Sequence, residues 1–368
     1  MNDNALQFDK VDILFARQQG RARSAELKAA LLALDAGRNR AEIAANNGVV
    51  VGISNASLSV KQGEISVLMG LSGSGKSTLL RAANGLNPVT RGRVLVSDAG
   101  GSVDVASCDA TTLRRLRRGR IAMMFQQFGL LPWRTVRDNV GFGLELRGES
   151  ASQRQRVVDE KLELVGLSQW SERYVSELSG GMQQRVGLAR AFATDADILL
   201  MDEPFSSLDA LIRSKLQDEL CALQNRVKKT ILFVTHDLDE ALRLGNQISV
   251  LEGGRIVQTG TPEDIVLRPA DAYVAEFVQH MNPLSVLTGR MVMRPQRDVT
   301  AGSGAARVDA DTPLRKLIQL LRDTGQPVLL TDRGDICGIC GANEVVQALA
   351  GASGATGQAD GAIGSARP

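Results

Sequence analysis

Short apolar runs, each followed by a glycine or a polar residue, mark out the first two thirds of the chain. The runs that predict buried strands are residues 65–69, 121–125, 198–201 and 230–235. The first run leads through a glycine-rich segment into residues 78–83, which favour a helix. Charged and apolar faces alternate at helical spacing over residues 153–164 and indicate an amphipathic helix. The pattern therefore predicts an α/β fold.

The glycine-rich segment has the spacing of a phosphate-binding loop placed between a strand and a helix. Gly70, Gly73 and Gly75 let several backbone N–H groups converge on one phosphate, and the helix N-terminus adds its dipole. Lys76 supplies charge for the β- and γ-phosphates, and Ser77 offers Mg²⁺ a hydroxyl. An incidental glycine-rich turn is the alternative, but the context argues against it. The predicted nucleotide-binding residues are Gly70, Leu71, Ser72, Gly73, Ser74, Gly75, Lys76, Ser77 and Thr78.

Two adjacent acids follow the apolar run at residues 198–201. Asp202 is predicted to hold Mg²⁺, directly or through water. Glu203 lies one residue further on, where its carboxylate can face the attacking water as general base. A solvated turn is the alternative, which the apolar strand and the phosphate-binding loop make the weaker interpretation.

Two other runs end in residues that suit the same site. His236 follows residues 230–235 and is predicted to sense the γ-phosphate and to orient water and Glu203, with a packed or capping histidine as the alternative. Gln126 follows residues 121–125, and its amide oxygen can reach Mg²⁺ or the attacking water. The neighbouring Gln127 is an alternative for this role.

Three later segments, 178–185, 206–209 and 235–237, complete an ordered set of motifs. The set resembles the ATP-binding subunits of ABC transporters over roughly residues 48–280. By this resemblance the segments are the signature motif, the D-loop and the switch-histidine loop. It implies a P-loop ABC ATPase core with a mainly parallel sheet, an antiparallel β edge and a helical arm at residues 127–190.

The resemblance also implies a homodimer that holds ATP and Mg²⁺ between its subunits. In the family, the phosphate-binding loop of one subunit faces the signature motif of the other. Ser179, Gly180 and Gly181 are thereby assigned to the partner's γ-phosphate, and Asp209 of the D-loop to the nucleotide site. A Ser-Gly-Gly sequence ahead of a helix suits this role because it offers N–H groups and a helix dipole to an anion.

Segments 68–78, 197–203 and 237–241 are similar to the ATPases of bacterial quaternary-amine importers, and residues 83–92 are most similar to the choline branch. This likeness implies import of choline, or of glycine betaine, across the inner membrane. The ATPase never touches the cargo, so no residue here selects it. An ABC ATPase for another solute, or a non-transport ABC ATPase, is the alternative.

The resemblance also implies further protein partners. Residues 128–133 belong to the arm that receives the coupling helix of integral membrane permease subunits in the family. Trp133 suits such a partner groove, and plain subdomain core is the other interpretation. A periplasmic or lipid-anchored solute-binding protein is implied indirectly.

Many ABC ATPases stack adenine on an aromatic residue, but residues 44–48 contain none where the family carries it. Residues 11–15 resemble the family's first strand, which that aromatic normally follows. Phe15 is therefore a candidate for stacking on adenine. A strand aromatic buried in the core fits Phe15 equally well.

Residues 21–47 are then an insertion behind the first strand. Leu27, Leu31 and Leu34 fall on one helical face, and Gly37 is placed to end the helix. We take residues 1–47 as this first strand with a helical N-terminal extension, and residues 48–282 as the ATPase domain.

Beyond residue 282 the order of predicted elements is similar to a single CBS module, at residues 283–350. Such modules act in pairs, so one copy implies pairing across the dimer or a degenerate module. Thr312 is predicted to cap the first helix with Pro313 at its first position. The Gly-, Ala- and Ser-rich residues 351–368 predict a disordered tail.

Composition changes this picture little. A formal net charge of +2 gives no general attraction to nucleic acid, which we do not expect as a partner. Four cysteines fit a reducing compartment. Cys337 and Cys340 have CxxC spacing, but a strand would point them to opposite faces, which favours a structural role over a redox or metal pair. With no bilayer-spanning run and no signal peptide, we expect a peripheral protein on the cytoplasmic face of the inner membrane.

Overall fold

The computed structural model describes residues 3–17, 20–98, 100–206, 208–279, 284, 287–295 and 305–353. These residues form two compact units. The first draws on Met1–His236 and Leu244–Val257, and the second on Asp237–Arg243 and Gln258–Pro368.

The strands up to residue 260 include all four predicted runs. They are β1 (Asn4–Phe15), β2 (Val50–Lys61), β3 (Ile65–Met69), β4 (Arg91–Asp98), β5 (Gly101–Asp104), β6 (Ile121–Met124), β7 (Ile198–Asp202), β8 (Thr230–Val234), β9 (Gln247–Glu252) and β10 (Arg255–Gly260). The helices of this part are α1 (Gly20–Asp35), α2 (Arg40–Asn47), α3 (Lys76–Ala82), α4 (Ala110–Gly119), α5 (Val136–Arg147), α6 (Ala151–Leu164), α7 (Gly180–Ala193), α8 (Ala210–Val227) and α9 (Leu238–Leu244).

Two sheets organise the first unit. A six-stranded sheet has the order β10-β9-β3-β8-β7-β6, and the pairs β9–β3, β3–β8, β8–β7 and β7–β6 are parallel. Its strands read as continuous apolar runs because strands in such a sheet are covered on both faces. An antiparallel sheet has the order β2-β1-β4-β5. The α/β class, the mainly parallel sheet and the antiparallel edge are therefore confirmed.

Helix α3 fills the space between these sheets. Leu79 and Leu80 of this helix are fully buried in one hydrophobic cluster with Phe8 of β1, Leu68 of β3 and Leu232 of β8. The helix that begins at the phosphate-binding loop is therefore anchored from both sides, which limits how far its first residues can shift.

The predicted helical arm is present as α5, α6 and α7, which pack against one another. Arg137 of α5 ties this packing together by pairing with Asp159 of α6 and with Glu172. Thr135 and Ser150 cap the first two helices by accepting hydrogen bonds from their first turns.

The insertion after β1 contains more structure than predicted. Helix α1 forms as expected, and Gly37 follows it with φ +78°. Helix α2 was not predicted. Its signal lies in a capping box, in which Asn39 and Glu42 accept hydrogen bonds from each other's backbone N–H groups.

The second unit contains α10 (Pro262–Leu267), α11 (Ala272–Gln279), α12 (Gly289–Val292), β11 (Arg294–Pro295), β12 (Arg307–Asp309), α13 (Leu314–Thr324), β13 (Val328–Asp332), β14 (Asp335–Cys340) and α14 (Ala342–Ser353). Its sheet has the order β11-β14-β13-β12. The placement of Thr312 as the cap was wrong by one residue, because Pro313 occupies the N-cap of α13 with extended ψ. The CBS-like assignment stays a prediction. Helix α14 runs to Ser353, and residues 354–368 of the predicted tail lie outside the described residues.

The CxxC pair lies within this sheet. Cys340 is fully buried, and burial raises the pKa of its thiol to about 11. Cys337 donates a hydrogen bond to the carbonyl oxygen of Leu330 at 3.4 Å.

Candidate functional site

The loop between β3 and α3 is closed by close backbone contacts. Gly70 and Gly75 adopt φ of +145° and +101°, which favour glycine. A Cβ at Gly70 would lie 2.2 Å from the carbonyl oxygen of Leu251, and one at Gly75 would lie 2.6 Å from that of Gly52. The buried hydroxyl of Ser74 has no hydrogen-bond partner among the described residues, which fits a phosphate oxygen as its partner. The other predicted loop residues are exposed or half-buried, namely Leu71, Ser72, Gly73 and Thr78.

Lys76 begins α3 and is buried. Its ammonium donates to the carbonyl oxygens of Gly70 and Leu71 at 2.8 and 3.0 Å. Burial lowers the pKa of Lys76, while the negative charges of Glu203 and Asp202 oppose that change. Its charge is thus held inside the curl of the loop, where a phosphate would neutralise it.

Asp202 ends β7 directly beside the first turn of α3. Its carboxylate is fully buried and accepts a hydrogen bond from the Ser77 hydroxyl at 2.6 Å through Oδ1. The other oxygen accepts from Nη2 and Nε of Arg81 at 2.9 and 3.2 Å. Arg81 was not among the predicted site residues. Its position four residues after Ser77 puts both side chains on one face of α3, but the sequence does not show that this face meets Asp202.

Glu203, Gln126 and His236 meet at the same edge of the parallel sheet. Gln126 Nε2 donates to Glu203 Oε2 at 3.1 Å, and His236 Nδ1 lies 3.4 Å from that oxygen. These residues follow β7, β6 and β8, whose carboxyl ends lie together because the strands are parallel. The His236 side chain is 61% exposed, so its ring can contact a bound ligand while it lies beside the Glu203 carboxylate.

The backbone of Glu203 is unusual for a residue with a side chain. Its φ is +47°, in the left-handed region. The conformation is held by its N–H, which donates to the carbonyl oxygen of Val234 at 3.0 Å, and by its carbonyl oxygen, which accepts from the Ser206 hydroxyl at 3.1 Å. Such backbone strain persists where surrounding contacts fix it, and it is concentrated at functional sites.

The predicted signature residues form the start of α7. Ser179 is the N-cap and accepts from the N–H of Met182. A Cβ at Gly180 would meet no atom within 4 Å, so the first turn of this helix is open to a ligand or partner. Gly181 approaches Leu208 closely, and Asp209 caps α8 by accepting from Ile212 at 3.0 Å. Ser207 of the predicted D-loop lies outside the described residues.

Phe15 lies next to the phosphate-binding loop, at the end of β1. A Cβ on Gly52 would come within 2.8 Å of the Phe15 ring and 3.1 Å of the Thr78 methyl group. The ring therefore rests on a glycine that itself contacts Gly75. It is 38% exposed, so part of the ring is open to a ligand.

The loop after Gln126 is attached to the signature helix. Arg190 of α7 donates from its guanidinium to the carbonyl oxygens of Phe128 and Gly129. Burial lowers the pKa of Arg190, which reflects how far this contact is shielded from solvent. Trp133, further along the loop, is 70% exposed.

Known proteins are similar to this chain in sequence and in fold. A family model described as ABC transporter matches residues 53–206. The glycine betaine/carnitine transport ATP-binding protein GbuA of Listeria monocytogenes is 47% identical over 72% of this chain, which spans 66% of that relative. The trimethylamine N-oxide transport system ATP-binding protein TmoW of Ruegeria pomeroyi is 42% identical over 84% of this chain and 88% of the relative.

A solved structure is also similar. It is a dimeric post-hydrolysis state of an ATP-binding cassette bound to ADP and Pi, with 28% identity and a TM-score of 0.58 over 70% of this chain and 98% of that one. Among the described residues, none of the helices combines the length and the apolar content that a membrane span requires.

Proposed function

Because the chain belongs to the ATP-binding proteins of ABC transporters, we propose that it hydrolyses ATP to energise the import of a quaternary amine. The observation that carries the hydrolytic part is the contact of Glu203 with both Gln126 and His236, beside Lys76 and Asp202. A carboxylate held by two polar neighbours next to a buried ammonium suits proton transfer from water during phosphoryl transfer.

The proposed roles follow from these contacts. Glu203 accepts the proton of the attacking water, and the strained backbone fixes where its carboxylate can lie. Gln126 donates to that carboxylate and so orients it. His236 is exposed enough to contact the γ-phosphate while its ring stays beside Glu203. Lys76 provides the positive charge that offsets charge on the phosphates.

The residues present fit Mg²⁺. Ser77 and Asp202 place a hydroxyl and a carboxylate oxygen 2.6 Å apart, and the amide oxygen of Gln126 is a third oxygen donor at the same sheet edge. Hard oxygen ligands of this kind suit Mg²⁺, which keeps several waters beside few protein ligands. When bound, the ion neutralises phosphate charge and orients the terminal phosphate.

The proposed working unit is a homodimer. The open first turn of α7 offers N–H groups and a helix dipole to an anion. We propose that this anion is the γ-phosphate of the ATP held by the phosphate-binding loop of the partner subunit. Ser179, Gly180 and Gly181 would therefore complete the site around ATP bound to the partner's loop, with Asp209 at the same interface. The dimeric cassette with ADP and Pi supports this arrangement.

The proposed cargo is choline or glycine betaine. Residues 83–92 favour choline, whereas relatives named for glycine betaine favour the second. We place the protein on the cytoplasmic face of the inner membrane, bound to permease subunits that work with a solute-binding protein. Trp133 and its loop are the proposed permease contact. A single CBS-like module at residues 283–350 remains part of the proposal.

Uptake of radiolabelled choline and glycine betaine, in a strain lacking the chain, tests the transport role. Rescue by the wild-type chain and not by Glu203→Gln is expected, because uptake requires turnover. Rescue of choline uptake alone supports the choline assignment, and rescue of glycine betaine uptake alone overturns it. If neither solute responds while purified protein hydrolyses ATP, the quaternary-amine assignment fails and the ATPase assignment stands.

Phe15→Ala is expected to raise the Kd for ATP roughly tenfold, because stacking of a base on an aromatic ring contributes about 1–3 kcal/mol. Phe15→Trp should keep the affinity near that of the wild type. Titration with a fluorescent ATP analogue measures both. A Phe15→Ala protein with a lower Tm and unchanged Kd would assign the ring to strand packing instead.

A further inference from the structure

Asp202 is a buried carboxylate whose two oxygens are both occupied. Ser77 donates to Oδ1, and Arg81 donates twice to Oδ2. Of the cations in the part of the chain that the structure describes, Arg81 is the one that forms an ion pair with Asp202. Lys76 lies near but directs its ammonium to the carbonyl oxygens of its own loop.

A buried carboxylate is costly unless a positive charge compensates it. In a metal-loaded nucleotide site, Mg²⁺ brings two positive charges to this position. In the structure, the guanidinium of Arg81 is what neutralises Asp202. Arg81 and a bound Mg²⁺ would therefore compete for the same carboxylate.

The exposure of Arg81 makes an exchange feasible. Its side chain is 39% exposed, whereas that of Asp202 is fully buried. The guanidinium can therefore turn toward water when a second cation arrives, and it does not become a buried unpaired charge. Asp202 has no such freedom and must take whichever cation is present.

We propose that Arg81 is a positioning residue that neutralises Asp202 in the metal-free site and releases it to Mg²⁺ when nucleotide binds. It keeps the carboxylate oriented beside Ser77 between rounds of nucleotide binding. The identity of the metal rests on the proposed ATPase function, but the pairing of Arg81 with Asp202 does not.

The test is the Tm of the full chain with ADP, measured once with excess EDTA and once with Mg²⁺. Arg81→Gln is expected to lower the Tm by several degrees in EDTA, because it leaves Asp202 buried without a cation. Mg²⁺ should restore most of that loss, so the Mg²⁺-dependent rise in Tm exceeds that of the wild type. The Mg²⁺-dependent rise in Tm of Arg81→Lys should lie between those of the wild type and Arg81→Gln.

Arg91→Gln is a matched control. Arg91 is 42% exposed and pairs with Asp12, which is 1% exposed, so this pair has nearly the same burial without a place in the nucleotide site. Arg91 also pairs with the exposed Asp35, which likewise lies outside the nucleotide site. Arg91→Gln should lower the Tm by the same number of degrees with and without Mg²⁺. A Mg²⁺-dependent rise in Arg81→Gln equal to that of the wild type would overturn the proposal.

A second readout does not depend on unfolding. Binding of Mn²⁺ in the presence of ADP, followed by electron paramagnetic resonance, should be severalfold tighter in Arg81→Gln, because no guanidinium competes for Asp202. Equal or weaker binding would contradict the exchange. If the wild type shows neither Mg²⁺-dependent stabilisation nor Mn²⁺ binding, the proposed nucleotide site itself fails.

Discussion

Replacement of Glu203 by glutamine should lower ATP hydrolysis by about 100- to 10,000-fold while leaving ATP binding within about threefold of the wild type. The amide keeps an oxygen that can accept from Gln126, so the side chain should stay where the structure places it. It has no basic oxygen to take a proton from water. Phosphate release under saturating Mg²⁺-ATP measures the rate, and a fluorescent analogue measures the affinity.

The same variant should accumulate as an ATP-bound dimer, because hydrolysis is the step that would reopen it. Size-exclusion chromatography with and without ATP detects this. Glu163→Gln makes the same chemical change on an exposed residue of α6 and should behave as wild type. Turnover of Glu203→Gln within about threefold of the wild type would rule out Glu203 as the general base.

Gly180→Asp should abolish most ATPase activity, by about 100-fold or more, without destabilising the protein. A Cβ at Gly180 meets no atom within 4 Å, and an acid in the first turn of α7 suits the helix dipole. The monomer therefore tolerates the change. In the proposed dimer, the new carboxylate would face the partner's γ-phosphate and repel it. A phosphate-release assay and a melting curve measure the two effects.

Gly119→Asp is the control for added side-chain volume and charge, because a Cβ there also meets no atom within 4 Å, although Gly119 ends its helix rather than beginning it. It should retain activity. A sharper test mixes Gly180→Asp with Lys76→Ala, which lacks the ammonium of the phosphate-binding loop. Mixed dimers contain one site with an intact loop and an intact signature motif, so hydrolysis should return. A mixture as inactive as its parents would contradict a site shared between subunits.

Much of the candidate site was predictable from strand ends. Gln126, Asp202, Glu203 and His236 each follow an apolar run, and parallel strands bring their carboxyl ends to one edge of a sheet. This rule predicts that Glu203, Gln126 and His236 share one edge of the sheet, and the structure shows that Gln126 and His236 contact Glu203 there. The order of the motifs along the chain then predicted that this edge of the sheet forms one site with Lys76.

What the sequence did not reveal depends on how separate elements approach one another. Arg81 carries no motif, and its pairing with Asp202 requires knowing that α3 lies beside the end of β7. Helix α2 was missed because the helix is short and its apolar content is low. Its Ile43 nevertheless packs with Leu34 of α1. The left-handed backbone of Glu203 has no sequence signal, because glutamate is not a residue that favours it.

In the proposed dimer, the attachment of α7 to the loop after Gln126 would link the two nucleotide sites. Arg190 holds the carbonyl oxygens of Phe128 and Gly129, and the opposite end of the same helix carries Ser179 and the glycines that follow it. A displacement of this loop, caused either by a permease or by loss of the γ-phosphate, would therefore move α7 as a rigid body. The N-terminal end of the helix, with Ser179, would move with it. In the proposed dimer, each nucleotide would then set how closely Ser179 and the following glycines of its own subunit approach the nucleotide on the partner's loop, so the two sites would open and close together.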